Sequence, residues 1–291
     1  MRAFITACTL LILAMGAHAE PQTPQFASAK EFEQSLHFKR GHIVLPGGLA
    51  ALDVPRSFRY LDPNDTERVL VDAWGNPPGS RTLGMLFPTD VGPFADEAWG
   101  VVIEYSGDGH ISDEDADAID YDDLLARMRE ETDDANAERK RLGYEAVSLV
   151  GWAQPPYYDQ GDKKLYWAKE IKFGTSDENT LNYNIRVLGR EGVLELNAVA
   201  GMGQLSKVEH EMQDVLSFAN FNEGHRYADF DASTDHVAAY GLAALVGGAV
   251  AAKTGLLAKL LAMMIAAKKF LVAIVIGFVA LVKRLFGRST A

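Results

Sequence analysis

The sequence predicts an α+β fold, an antiparallel β-meander ectodomain with flanking helices, followed by a C-terminal transmembrane helix or helical hairpin. Three observations predict it. Runs of strand composition at 146–153, 165–173, 181–188 and 193–200 succeed one another through short polar connections with no helix between them, the order of an antiparallel meander. Helical patterns stand before and after that block instead of alternating with it. The 46 residues 237–282 hold four lysines and no acid, a poor core partner but an ordinary membrane flank.

Taken in order, residues 1–19 read as a signal peptide. Arg2 precedes the apolar stretch 3–15, and Ala17-His18-Ala19 is a small-x-small cleavage site. Cleavage would remove Cys8, the sole cysteine, and with it any disulfide, thiol catalysis or thiolate metal site. Residues 20–40 are a linker and a short helix, for Ser28 and Glu31 have capping-box spacing and Phe32 and Leu36 share a face.

Residues 41–230 form the ectodomain. Runs 42–45 and 49–54 are strands turned at Pro46-Gly47-Gly48. Asp62 as N-cap and Pro63 at the first position open a helix that runs to Trp74 and stops at Gly75. A strand at 99–105 turns at Gly107-Asp108-Gly109. The acidic stretch 113–123 leads into a helix with Leu124, Leu125, Met128, Ala135 and Leu142 inward, ending at Gly143. After the meander a last helix spans 205–221, and 231–236 is a juxtamembrane linker.

The tail divides into two apolar runs, and 283–291 is a basic end. Residues 237–258 give about 22 residues with Lys253 near one end, long enough to span at ~1.5 Å per residue. Run 270–282 is more apolar but only ~20 Å long as a helix. A single crossing keeps all seven basic tail residues in the cytoplasm, whereas two crossings put Lys283, Arg284 and Arg288 outside, against the positive-inside rule. The alternative is a buried helical hairpin of a soluble domain. Gly241, Gly247, Gly248 and Gly255 would allow close helix approach and self-association.

Charge narrows the partners. Of 28 basic residues, Arg2 and seven in the tail leave 20 against 40 acids, so residues 20–236 carry −20. An acidic body argues against nucleic acid and against contact between the ectodomain and anionic lipid.

The last hairpin yields the most specific placement. A two-residue turn inside Gly189-Arg190-Glu191-Gly192 sets Leu188 opposite Val193, Arg186 opposite Glu195 and Asn184 opposite Asn197. Pairing Ile171 with Tyr183 and Trp167 with Val187 would add Glu170 and Lys172 to that polar face. The plain reading is a solvated sheet face, in which Arg186→Ala costs about 1 kcal/mol or less. The functional reading is a polar binding patch. Two Trp/Pro loops add Trp74, Trp152 and Tyr157 as candidate contacts, though such aromatics often serve as core-packing element ends.

Other chemistry finds little support. The cluster Asp113-Glu114-Asp115-x-Asp117 fails the calcium-loop template, with Ala118 where glycine belongs and Leu124 where the bidentate glutamate belongs. His37, His42, His110, His210, His225 and His236 are scattered, and no nucleophile elbow, phosphate loop or dinucleotide fingerprint occurs. No cofactor, no metal and no catalytic residue is proposed.

The segments Trp74-Gly75-Asn76-Pro77-Pro78, Gly151-Trp152-Ala153-Gln154-Pro155-Pro156-Tyr157-Tyr158-Asp159 and Tyr166-Trp167-Ala168-Lys169 join Asn182-Tyr183-Asn184-x-Arg186-Val187-Leu188-Gly189-Arg190, Asn197, Phe221-Asn222-Glu223-Gly224 and Ala239-Tyr240-Gly241-Leu242-Ala243-Ala244-Leu245. Together these resemble an uncharacterised bacterial domain-of-unknown-function family of predicted membrane-anchored proteins, over about residues 41–287. The resemblance implies the topology and supplies no activity.

The expected function is therefore a binding or scaffolding module held at the bacterial inner (cytoplasmic) membrane with its ectodomain in the periplasm. Its expected partners are the lipid bilayer through the tail, an envelope protein or a small polar ligand, and a second copy of itself. An envelope hydrolase with dispersed catalytic residues, or a subunit of a membrane complex, are the alternatives. A concave site uniting histidine, carboxylate and hydroxyl would favour the hydrolase; histidines lying apart would favour the binder.

Overall fold

The computed structural model of the chain describes residues 28–76 and 78–248. Among the described residues, ten strands and five α-helices come in blocks. Helix α1 (Ala29–Gln34) starts where the Ser28 hydroxyl accepts from the Glu31 N–H at 3.2 Å. Strands β1 (Gly41–Val44), β2 (Ala50–Val54) and β3 (Phe58–Leu61) follow. Helix α2 (Pro63–Arg68) is capped by the Asp62 carboxylate and widens into a π-turn over Val69–Ala73 before Gly75, at φ +68°, ends it. Then come β4 (Gly84–Pro88), β5 (Gly100–Ser106), α3 (Tyr121–Arg141), β6 (Val147–Asp159), β7 (Lys164–Phe173), β8 (Thr180–Leu188) and β9 (Val193–Gly201). The chain closes with α4 (Leu205–Phe218), β10 (Ala219–Phe221) and α5 (Leu242–Gly247).

Seven strands form one antiparallel sheet in the order β3-β4-β5-β9-β8-β7-β6, and β1-β2-β10 form a small second sheet. The α+β class and the meander β6 to β9 therefore stand as predicted. Strands β3 and β4 are additions. Met85, Leu86 and Phe87 are all fully buried, so β4 lacks the alternation that signals a strand with one wet face. The last helix also stops early, at Phe218, because residues 219–221 pair with β2.

One face of the long sheet packs on α4 and the small sheet, where Val101, Ile103, Ile185 and Leu196 meet Val208, Met212, Val215 and Leu52. The other face carries two separate apolar patches. At the β6–β7 end, Leu124, Leu125 and Met128 of α3 and Leu242, Ala244 and Val246 of α5 cover Leu149, Leu165, Trp167 and Phe173. At the β4–β5 end, Phe32, Leu36 and Leu70 cover Met85, Phe87, Val102 and Val199. A polar strip lies between them.

Helix α3 also closes the outer row of β6. The Asn136 carboxamide donates to the Val147 carbonyl at 2.8 Å and accepts from its N–H at 2.7 Å, while the Arg129 guanidinium donates to the Leu149 and Val150 carbonyls. Asn136→Ala removes both bonds and should lower stability by about 1 to 2 kcal/mol in denaturant melts. An unchanged midpoint would mean that the helix docks through its apolar stripe alone.

Residues 231–236, expected as a free linker, are tied to the body. Arg190 forks onto Asp235 at 2.7 and 2.8 Å, and the His110 N–H donates to the His236 carbonyl at 2.8 Å. His110 itself is stacked between Tyr227 and Phe230, at centroid distances of 4.2 and 3.9 Å. Burial depresses its basicity, although the carbonyls of Arg190 and Gly189 oppose this. Below them the Tyr158 hydroxyl, the Lys163 ammonium and the Tyr227 hydroxyl donate to Asp113 at 2.7, 2.7 and 3.0 Å.

The start of the predicted membrane run also belongs to the body. The Ala238 N–H donates to the His110 carbonyl at 2.8 Å, and Leu242 is fully buried against α3. Within the expected membrane run, Ala238, Leu242, Ala244 and Val246 are thus buried against the body, while Val237 is half-exposed. Among the described residues no helix is long and apolar enough to cross a membrane. The signal peptide predicted at 1–19, the rest of the tail from residue 249 and the basic end lie outside the described residues.

Candidate functional site

Strand register places the polar strip row by row. Counting across β7, β8, β9 and β5, the first row is Leu165, Arg186, Glu195, Glu104; the second is Trp167, Asn184, Asn197, Val102; the third is Lys169, Asn182, Val199, Gly100. The predicted pairs Leu188–Val193, Arg186–Glu195 and Asn184–Asn197 all occur. A period of two then points every one of these side chains to the same face.

The preceding pairing differs. Ile171 lies opposite Thr180 and Trp167 opposite Asn184, a slip of three residues from the expected register. An odd slip exchanges faces. Glu170 therefore leaves the strip and accepts from the Asn179 carboxamide at 2.6 Å, and Lys172 is exposed on that same opposite side. Lys169 and Trp167 take their places. The reason is that β7 is buried on both faces, so its apolar pattern cannot choose between registers.

The expectation of a solvated face is overturned. Asn184 is 3% exposed and Arg186 8%, and the side chains of the Arg186–Glu195 pair keep only 10% and 16% of their surface. Arg186 meets Glu195 at 3.0 Å, donates to the Asn197 Oδ1 at 2.9 Å and lies 5.0 Å from the Trp167 ring centroid. The Asn197 amide reaches Glu104 at 3.4 Å, and the Asn184 amide donates to the Asn182 Oδ1 at 2.9 Å. Burial, then the charge of Glu195, raises the Glu104 carboxyl above its usual range, with Arg186 pulling the other way.

Lys169 is the exception in this network. It is 7% exposed, and its ammonium has no hydrogen-bond or ion-pair partner among the described residues. Burial, then the nearby charge of Arg186, pulls its pKa down to about 8. The Trp167 indole N–H, two residues away on the same face of β7, is buried without an acceptor.

The remaining candidates scatter. Trp152 sits beside Lys169 in the third row, half-buried, its indole donating to the Tyr121 carbonyl at 3.4 Å. Tyr157 is 60% exposed and stacks on Tyr166, which shares its face with the α4 side of the sheet. Trp74 is a core residue, packed on Phe87 and donating to the Pro93 carbonyl at 2.9 Å. The strip thus unites Arg186, Glu195, Asn184 and Asn197, with Trp152 at its margin. It excludes Glu170, Tyr157 and Trp74. Sequence reasoning missed Lys169, Asn182 and Glu104. Glu104 does stand out as the one charge after Val101-Val102-Ile103.

Histidines do not enter the strip. The His37 Nδ1–H donates to the Asp65 carboxylate (2.9 Å) and the His42 Nδ1–H to that of Asp53 (2.7 Å). Ser35 lies close to His37 in sequence, but its hydroxyl donates to the Phe32 carbonyl and accepts from Arg68. Three acids of the 113–123 stretch are occupied as well: Asp113 by the three donors above, Asp120 as the cap of α3, Asp115 by the Leu242 N–H at 3.4 Å. Among the described residues no group of His, Asp or Glu is arranged to hold a metal.

A family model described as "Protein of unknown function (DUF2167)" matches residues 37–279. No curated protein matches the chain. Among solved structures, the chain is similar to cyanobacterial PsbP (CyanoP) from Synechocystis sp. PCC 6803, at 15% identity over 65% of this chain and 93% of that one, TM-score 0.34. It is also similar to LpqN of Mycobacterium tuberculosis, involved in cell envelope biogenesis, at 14% identity, 66% and 96% coverage and TM-score 0.31. A third likeness is to the Saccharomyces cerevisiae Ran-binding protein Mog1p, at 11% identity, 68% and 100% coverage and TM-score 0.31. Scores this low say nothing of what the chain does.

Proposed function

The chain belongs to the DUF2167 family, whose function is unknown, and from that premise we propose that it is a binding module whose recognition site is organised by the buried polar strip of the long sheet. The observation that carries this reading is the buried network joining Arg186, Glu195, Asn197 and Glu104 between two apolar patches. Apolar side chains of similar size would serve stability at least as well, so a purely structural account leaves the network unexplained. A catalytic reading lacks the corresponding support, because His37, His42 and the Ser35 hydroxyl are engaged away from the strip.

In this proposal the body is exported and works in the periplasm, held at the inner membrane by residues beyond 248. The acidic body suits small polar or protein partners more than anionic lipid. A photo-crosslinking amino acid at Trp152, beside the strip, tests the reading in alkaline-washed native membranes, with Val44 on the far small sheet as the control position. The expected result is a discrete adduct from position 152 and none from 44. Equal labelling at both, or recovery of the whole product in the wash, contradicts it.

A further inference from the structure

We infer that the Lys169 side of the strip is a subsite for an anionic group, a carboxylate or phosphate of the bound ligand. The inference rests on the binding reading and deepens it. Every other charged group of the strip is matched: Glu195 pairs with Arg186, and Glu104 shares Asn197 with that same guanidinium. Lys169 is not. It is more than nine-tenths buried, on the strand beyond Arg186, and no carboxylate flanks it in its row, whose neighbours are Trp152, Asn182 and Val199. Glu170, next in sequence, faces the other way.

A buried ammonium without a partner is costly, and proteins relieve that cost by neutralising the group or by bringing an anion to it. This side of the strip also holds a second unmatched donor, the Trp167 N–H, while the one amide oxygen in the row of Lys169, Asn182 Oδ1, is already taken by the Asn184 amide. The opposite corner, with two carboxylates around one guanidinium, would repel an anion. An anionic ligand group is thereby directed to β7 and away from β5.

Binding must carry a proton signature. In the free protein the Lys169 amine holds its proton up to about pH 8, and an anion beside it favours the charged form. Anion affinity should therefore be constant well below that pH and fall about tenfold per pH unit above it, with about one proton taken up per anion bound.

The test is calorimetric titration of the full-length chain in non-ionic detergent with sodium phosphate and, separately, sodium succinate, against sodium chloride at equal ionic strength. Running each in two buffers of different ionisation enthalpy between about pH 7 and about pH 9.5 counts the protons. One of the two anions should bind, with the loss at high pH, and Lys169→Met should weaken it at least about tenfold and abolish the proton uptake, while Lys169→Arg keeps binding without the pH dependence. The preferred anion separates a phosphate ligand from a carboxylate one. Neither anion binding, or binding unchanged in Lys169→Met with a native melting profile, would falsify the subsite. If position 152 still gave its adduct in membranes, the binding module would survive with an uncharged ligand; if not, both would fail.

Discussion

Arg186→Ala should destabilise the domain by about 3 kcal/mol or more at neutral pH, far above the 1 kcal/mol that a solvated pair would cost. Among the described residues the guanidinium is the only cation paired with Glu195, and through Asn197 it also supports Glu104. Without it two carboxylates face each other in adjacent strands, both largely removed from water. The sign of the pH dependence follows. The Glu104 carboxyl already sits above its usual range, and Arg186 is what pulls it down. In the variant the folded state binds a proton more tightly than the unfolded chain, so stability should rise as pH falls from about 7 towards about 5. Chemical denaturation at those two pH values measures both effects. Arg186→Lys should recover part of the loss, because it restores charge without the fork to Asn197. A penalty under about 1 kcal/mol with no pH dependence would show that water reaches the pair.

Asp113→Ala should be the next most damaging change, at about 2 kcal/mol or more. Its carboxylate receives three donors from three separate parts of the chain: Tyr158 on β6, Lys163 before β7 and Tyr227 beyond β10. Burial pushes the Asp113 carboxyl up, but the bonds from Lys163, Tyr158 and Tyr227 together outweigh it and hold the group below its ordinary 3.8. A carboxyl lowered in this way stabilises the fold above about pH 4 and ceases to do so as pH drops through its folded value, so wild type and variant should converge in acid. Burial, then Asp113, raises the phenols of Tyr158 and Tyr227, and both should ionise at lower pH in the variant. Hydrogen exchange supplies the spatial test. Amides of residues 224–238 should lose protection first, since Tyr227 is one of the ties that hold this segment down. Uniform loss across the sheet would instead make Asp113 part of the global core.

How far these features could be read beforehand depends on which physical signal each one has. The β8–β9 register was legible because a two-residue turn leaves one pairing, and Arg186, Glu195, Asn184 and Asn197 fell where that turn puts them. The β7–β8 register was not, because the loop 174–179 is long and β7 is apolar on both sides. That one slip hid Lys169 and promoted Glu170. Burial of the strip was equally invisible: an Asn-x-Asn-x-Arg alternation looks alike beside water and between two helical layers, and only the placement of α1, α2 and α3 decides which it is. The start of the tail had a further partner that its composition does not reveal: residues 237–248 are apolar enough to suggest lipid, and Leu242, Ala244 and Val246 pack with Leu124, Leu125 and Met128 of α3.

The closure of β6 has a consequence for assembly. An outermost strand normally exposes a ladder of free amides and carbonyls on which another polypeptide can grow the sheet. Here Asn136 and Arg129 already occupy that ladder at residues 147–150, and Pro155 and Pro156 withhold two further donors. A strand added at that border would find the ladder taken along residues 147–150, so the helix would have to leave before the main sheet could lengthen there.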